Sequence, residues 1–127
     1  MPLVRVSLRE GQSPSYLSAI GESIHQAMLE TIQVPKDDRF QIITEHPAGG
    51  VVYDPTYLGI GRTDQIVLIQ ITLNLGRTVD QKRALYEAIA DRLARDPGIR
   101  KEDVFVNLVE VPKENWSFGN GEASYAK

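Results

Sequence analysis

Gln65-Ile66-Val67-Leu68-Ile69-Gln70-Ile71-Thr72-Leu73-Asn74-Leu75, followed at once by Gly76-Arg77-Thr78-Val79-Asp80-Gln81, is the stretch from which the fold is read. Alternate residues of its first part fall into two unlike sets. Val67, Ile69, Ile71, Leu73 and Leu75 are uniformly apolar, whereas Ile66, Leu68, Gln70, Thr72 and Asn74 are mixed. Side chains of a strand point alternately to its two faces, so this pattern predicts a strand from Gln65 to Leu75 with one face fully packed and the other only partly. Gly76 punctuates it. Thr78 and Gln81 then stand at capping-box spacing, which starts a helix, and Leu85, Ile89 and Leu93 give that helix one buried stripe until Asp96-Pro97-Gly98 stops it.

The same grammar occurs earlier in the chain. Gly11-Gln12-Ser13 matches Gly76-Arg77-Thr78, Asp38-Arg39-Phe40 matches Asp103-Val104-Phe105, and Glu45-His46-Pro47 matches Glu110-Val111-Pro112, each at a step of 65 positions. The helix stripe follows the same step, with Ile20, Ile24 and Met28 landing on Leu85, Ile89 and Leu93. A first strand at Leu3 to Leu8 precedes a helix capped by Ser13 and opened by Pro14, and Val34-Pro35 ends that helix. A second strand is expected from Asp38 to Glu45 and a last one from about Asp103 to Val111. Residues 2–47 and 67–112 thus read as a duplicated β-α-β unit within a single domain spanning residues 1–127. Right-handed crossovers make the two strands of each unit parallel, and two units side by side give an α/β fold: a four-stranded mixed sheet with two helices on one face. The opposite face, with Ile66 and Leu68, is left as an apolar surface that predicts a homo-oligomer.

Bulk properties narrow the function classes. A chain of 127 residues with a net charge of −3 offers no polyanion-binding surface, so nucleic acid is not an expected partner. There is no cysteine, which removes disulfides, thiolate metal sites and a thiol nucleophile. No basic-then-apolar leader is seen, and no apolar run approaches the ~18 residues of a membrane span, so a cytoplasmic enzyme or binding domain is expected. His25 and His46 lack partners at metal-ligand spacing, and Gly59-Ile60-Gly61 lacks the third glycine of a dinucleotide loop; no metal or cofactor is expected.

Chemistry is concentrated at a few places. If Met1 is trimmed, Pro2 becomes the chain terminus and its nitrogen a secondary amine at the head of a strand. In the repeat it aligns with Val67, an interior position, and burial or a nearby cation disfavours the charged amine and makes it a base near neutrality. Arg77 can supply that cation and can grip a carboxylate at two points; it equally reads as an exposed arginine at a helix start. Its repeat partner is Gln12, so the architecture does not itself require an arginine there. Asp38 can activate water or orient a substrate, although its twin Asp103 is also explained by a shared turn role. Trp116 and Phe118 form either a lid over a pocket or packing at the sheet edge.

Assembled, Met1-Pro2-Leu3-Val4-Arg5, Asp37-Asp38-Arg39-Phe40-Gln41-Ile42, Glu45-His46, Leu58-Gly59-Ile60, Gly76-Arg77-Thr78, Gly98-Ile99-Arg100, Asp103-Val104 and Asn115-Trp116-Ser117-Phe118-Gly119-Asn120-Gly121 make the chain resemble the tautomerase superfamily, within it the group similar to malonate semialdehyde decarboxylase. The resemblance covers nearly the whole chain. It implies a cofactor-free homotrimer with active sites near subunit contacts and a small carboxylate-bearing substrate. It also implies Pro2 as catalytic acid or base, Asp38 as the aspartate linked to water activation, Arg77 as the carboxylate-binding arginine, and Asn74, Trp116 and Phe118 as further substrate-binding residues. The better known decarboxylases of that group often carry two arginines one residue apart, whereas Asn74-Leu75-Gly76-Arg77 has one. Tautomerisation of keto or enol acids is therefore the leading expectation. Decarboxylation or hydration by the same residues is the second, and a catalytically idle binding trimer the third.

Overall fold

A computed structural model describes residues 2–125. Its elements in chain order are β1 (Leu3–Arg9), α1 (Pro14–Ile32), β2 (Gln41–His46), β3 (Val67–Asn74), α2 (Val79–Arg95) and β4 (Val104–Val111). The strands form one sheet in the order β2-β1-β3-β4. β1 and β2 run parallel, as do β3 and β4, while the central pair β1 and β3 is antiparallel. This is the expected mixed sheet with both helices on one face. Val4, Val6 and Leu8 of β1 and Val67, Ile69, Ile71 and Leu73 of β3 enter a single core with Ile20, Ile24 and Met28 of α1 and Leu85, Ile89 and Leu93 of α2.

Local chemistry explains the boundaries. The Ser13 hydroxyl accepts a hydrogen bond from the Tyr16 amide at the start of α1, with Pro14 in the first turn. Thr78 and Gln81 make the reciprocal capping box at the start of α2: the Gln81 amide donates to the Thr78 hydroxyl at 3.1 Å and the Thr78 amide to Gln81 Oε1 at 2.9 Å. Gly11 and Gly76, which lead into these caps, have φ of 111° and 122°. A side chain is strained in that region, so the strand-to-helix turn is reserved for glycine in both halves.

Four details depart from the sequence reading. β2 starts at Gln41 rather than Asp38, because residues 35–38 form a turn closed by the Asp38 amide on the Pro35 carbonyl at 3.0 Å, and the chain joins the sheet only after it. Leu75, expected on the helix side, is 59% exposed. β3 ends one residue earlier, and Gly76 swings the chain away before Leu75 can enter the core. Ile66, expected on the open face, is only 1% exposed, and with Val52, Tyr53 and Tyr57 it lines a hollow beneath the connection between β2 and β3. Asn74, also expected on the mixed face, is buried for a reason that belongs to the site.

Candidate active site

The head of β1 is the place where the separate sequence signals come closest. Pro2 is buried immediately before the strand. The Val4 amide donates to the Phe40 carbonyl at 3.0 Å, which lays the segment carrying Asp38 and Phe40 alongside the head of β1. From the other end of the chain, Trp116 and Phe118 arrive stacked, with ring centroids 5.5 Å apart and planes 20° from parallel. The edge of Tyr125 closes on Phe118 at 5.0 Å. Together Pro2, Leu3, Phe40, Trp116, Ser117 and Phe118 line a cavity of about 190 Å³. That is smaller than the roughly 300 Å³ at which pockets for drug-sized ligands begin, so it suits a molecule of a few heavy atoms.

Asn74 ties this aromatic wall to the end of β3. Its side-chain oxygen accepts the Trp116 indole N–H at 2.7 Å, while its backbone carbonyl accepts from Arg77 Nη1 at 3.2 Å. The indole contact accounts for the burial of Asn74 on a face that would otherwise be open. One residue thereby links the aromatic segment to the arginine, although neither Asn74 nor Arg77 lines the cavity itself. Arg77 is half-buried.

Asp38 is buried, and burial pushes its carboxyl pKa above the ordinary aspartate value. Its repeat twin is in a different situation. Asp103 is fully buried and accepts hydrogen bonds from the Thr63 amide at 2.7 Å, the Thr63 hydroxyl at 2.6 Å and Arg100 Nη1 at 3.4 Å. These bonds pin the connection between β2 and β3.

Phe40, Leu3, Ser117 and Tyr125 were not singled out for the site in the sequence. Phe40 had a usable signal: it follows Asp38 by two residues and stands outside any helical stripe. A wider hollow of about 430 Å³ lies at the far end of β1 around Arg9, Val51 and Tyr53. Its Arg9 is already engaged by Asp64 at 3.2 Å and by the Val51 carbonyl, and it is a shallow depression, so the smaller cavity at Pro2 is the better seat for chemistry. Among the described residues no group of three or more His, Asp or Glu side chains converges as a metal site. Among the described residues no helix is long and apolar enough to cross a membrane.

Comparison with known proteins identifies the family. Residues 38–119 match the family model described as tautomerase enzyme, and residues 2–60 match a second model of the same description. The chain is 47% identical over 123 residues to the probable tautomerase YusQ of Bacillus subtilis (strain 168), covering 97% of each. Among solved structures it is similar to FG41 malonate semialdehyde decarboxylase inhibited by 3-bromopropiolate, with 34% identity and a TM-score of 0.91 over 97% of this chain and 93% of that one. It is also similar to a fused 4-OT described as a symmetric trimer, with 27% identity and a TM-score of 0.79 over 98% of each chain. By sequence model, relatives and fold alike, the chain belongs to the tautomerase family of enzymes.

Proposed function

We propose that this protein is a cofactor-free tautomerase of small keto or enol carboxylic acids, with Pro2, freed by removal of Met1, as the general acid and base. The observation that carries this reading is the burial of Pro2 in the wall of a small cavity whose other walls are largely aromatic. A desolvated amine is held in its neutral form, and a neutral secondary amine can take a proton from the carbon beside a carbonyl. The electron pair of the C–H bond moves into the new C=C bond, the carbonyl oxygen takes up the charge, and protonated Pro2 returns the proton to that oxygen. Enol-to-keto conversion is the same path reversed. Arg77 holds the substrate carboxylate, and its positive charge stabilises the enolate. Asp38 orients the substrate or an attacking water, and Trp116 and Phe118 exclude bulk water. The Pro2→Ala variant tests the reading: ketonisation of an enol-form 2-oxo acid falls by about a hundredfold or more while the melting temperature is unchanged. Full activity in that variant contradicts it.

A second reading is favoured by the similarity to malonate semialdehyde decarboxylase. In it Arg77 and protonated Pro2 stabilise the enolate left when a 3-oxo acid loses carbon dioxide. Release of carbon dioxide from a panel of 3-oxo acids, without ketonisation of 2-oxo acids, would favour this reading over the first. Assembly as a homotrimer goes with either reading. It is supported by the trimeric description of the fused 4-OT relative and by the exposed Ile42, Phe105 and Val109 on the sheet.

A further inference from the structure

His25 is the buried titratable group that the proposed chemistry leaves unused. It lies on the inner face of α1, 3% exposed, with ring Nε2 2.8 Å from the carbonyl oxygen of Lys36. A carbonyl can only accept, so Nε2 carries the proton. Ring Nδ1 is buried and makes no hydrogen bond among the described residues. An apolar side chain would fill this part of the core without burying an unpartnered nitrogen, so what the imidazole contributes is its one bond to Lys36.

That bond grips the turn bearing Asp38. Lys36 lies between Pro35 and Asp38, whose carbonyl and amide close the turn. The second half has the same turn, with the Asp103 amide on the Arg100 carbonyl at 2.9 Å, yet it is secured differently. There the acid itself is tied to Thr63 and Arg100, and the helix position matching His25 is Ala90. In the first half the helix reaches the turn through its backbone, by way of His25 on the Lys36 carbonyl.

We infer that His25 is a positioning residue for Asp38, fixing through the Lys36 carbonyl the turn that carries this carboxylate beside the head of β1. The inference rests on the reading of Asp38 as a group acting in the reaction. Two variants separate it from a packing role. Gln carries an N–H the same number of bonds from Cα as ring Nε2, and Asn falls one bond short. His25→Asn lowers kcat for ketonisation by about tenfold with KM within about twofold, and His25→Gln restores kcat to within about threefold of wild type. In an Asp38→Asn background the His25→Asn change lowers kcat by less than about twofold more, because the group it positions is gone. Equal losses in the two backgrounds, or full kcat in His25→Asn where Asp38→Asn is impaired, overturn the inference and leave the reading of Asp38 standing. Full kcat in Asp38→Asn overturns that reading and the inference with it. Should the histidine variants fail to fold, ¹⁵N spectra of labelled wild-type histidine decide: the Nε2–H tautomer at His25 is expected, and the Nδ1–H tautomer overturns the clamp.

Discussion

Asp38 and Asp103 stand at the same place in the two halves of the chain, and their surroundings differ. Asp103 is consumed by three hydrogen bonds from Thr63 and Arg100. Asp38 is buried with its carboxyl pKa raised, desolvation being the largest cause. The raised value has a consequence for stability. A carboxyl that holds its proton more tightly in the folded chain than in the unfolded one contributes stability that is full below its ordinary range and is lost as pH rises through the raised value. At neutral pH the desolvated carboxyl is therefore a net cost to the fold. Asp38→Asn melts above wild type at about pH 7, and the difference closes toward about pH 3, as followed by thermal denaturation. A constant difference at both ends would contradict the assignment. The repeat pairs Asp38 with Asp103, and sequence identity at matching positions carries no information about desolvation.

At the scale of elements, the C-terminal aromatic segment is joined to β3 by the Trp116 to Asn74 hydrogen bond of 2.7 Å. Trp116→Phe keeps an aromatic wall and removes the donor, while Asn74→Ala removes the acceptor. A double-mutant cycle on urea unfolding gives a coupling of about 1 kcal/mol, and both single variants raise KM because the wall loses its register on the cavity. Additive effects would show that the segment is held by stacking alone. The regular elements were legible because their signals are local: two strands with unlike faces, two helix stripes, a serine cap and a capping box. The failures lie where a distant segment changes a residue's surroundings. Asn74 was placed on the open face by alternation, and the indole from the chain's other end buries it. Ile66 was placed there by the same rule, and the long connection after β2 covers it. Pro2, Arg77, Asn74, Trp116 and Phe118 were named from the sequence. Phe40 and the role of His25 depend on contacts between segments that no spacing encodes.

For the whole molecule, the two β-α-β halves form one sheet with a single core on its helical face, and the opposite face carries Ile42, Phe105 and Val109 exposed. A sheet with these residues facing water is an association surface. Light scattering at micromolar concentration returns a trimer's mass, and Phe105→Glu shifts it toward the monomer; a wild-type monomer would contradict the proposed assembly. The halves are alike in frame and unlike in chemistry, since neither Pro2 nor Arg77 has a chemical counterpart at its matching position, Val67 or Gln12. Everything proposed for the site turns on a free amine at Pro2. The most direct measurement compares ketonisation rates of two preparations of the same chain, distinguished by intact mass as lacking or retaining Met1. The expected result is a rate at least about a hundredfold higher in the preparation that lacks Met1, because an amide nitrogen cannot take a proton at neutral pH. Equal rates in the two preparations would contradict a catalytic role for Pro2.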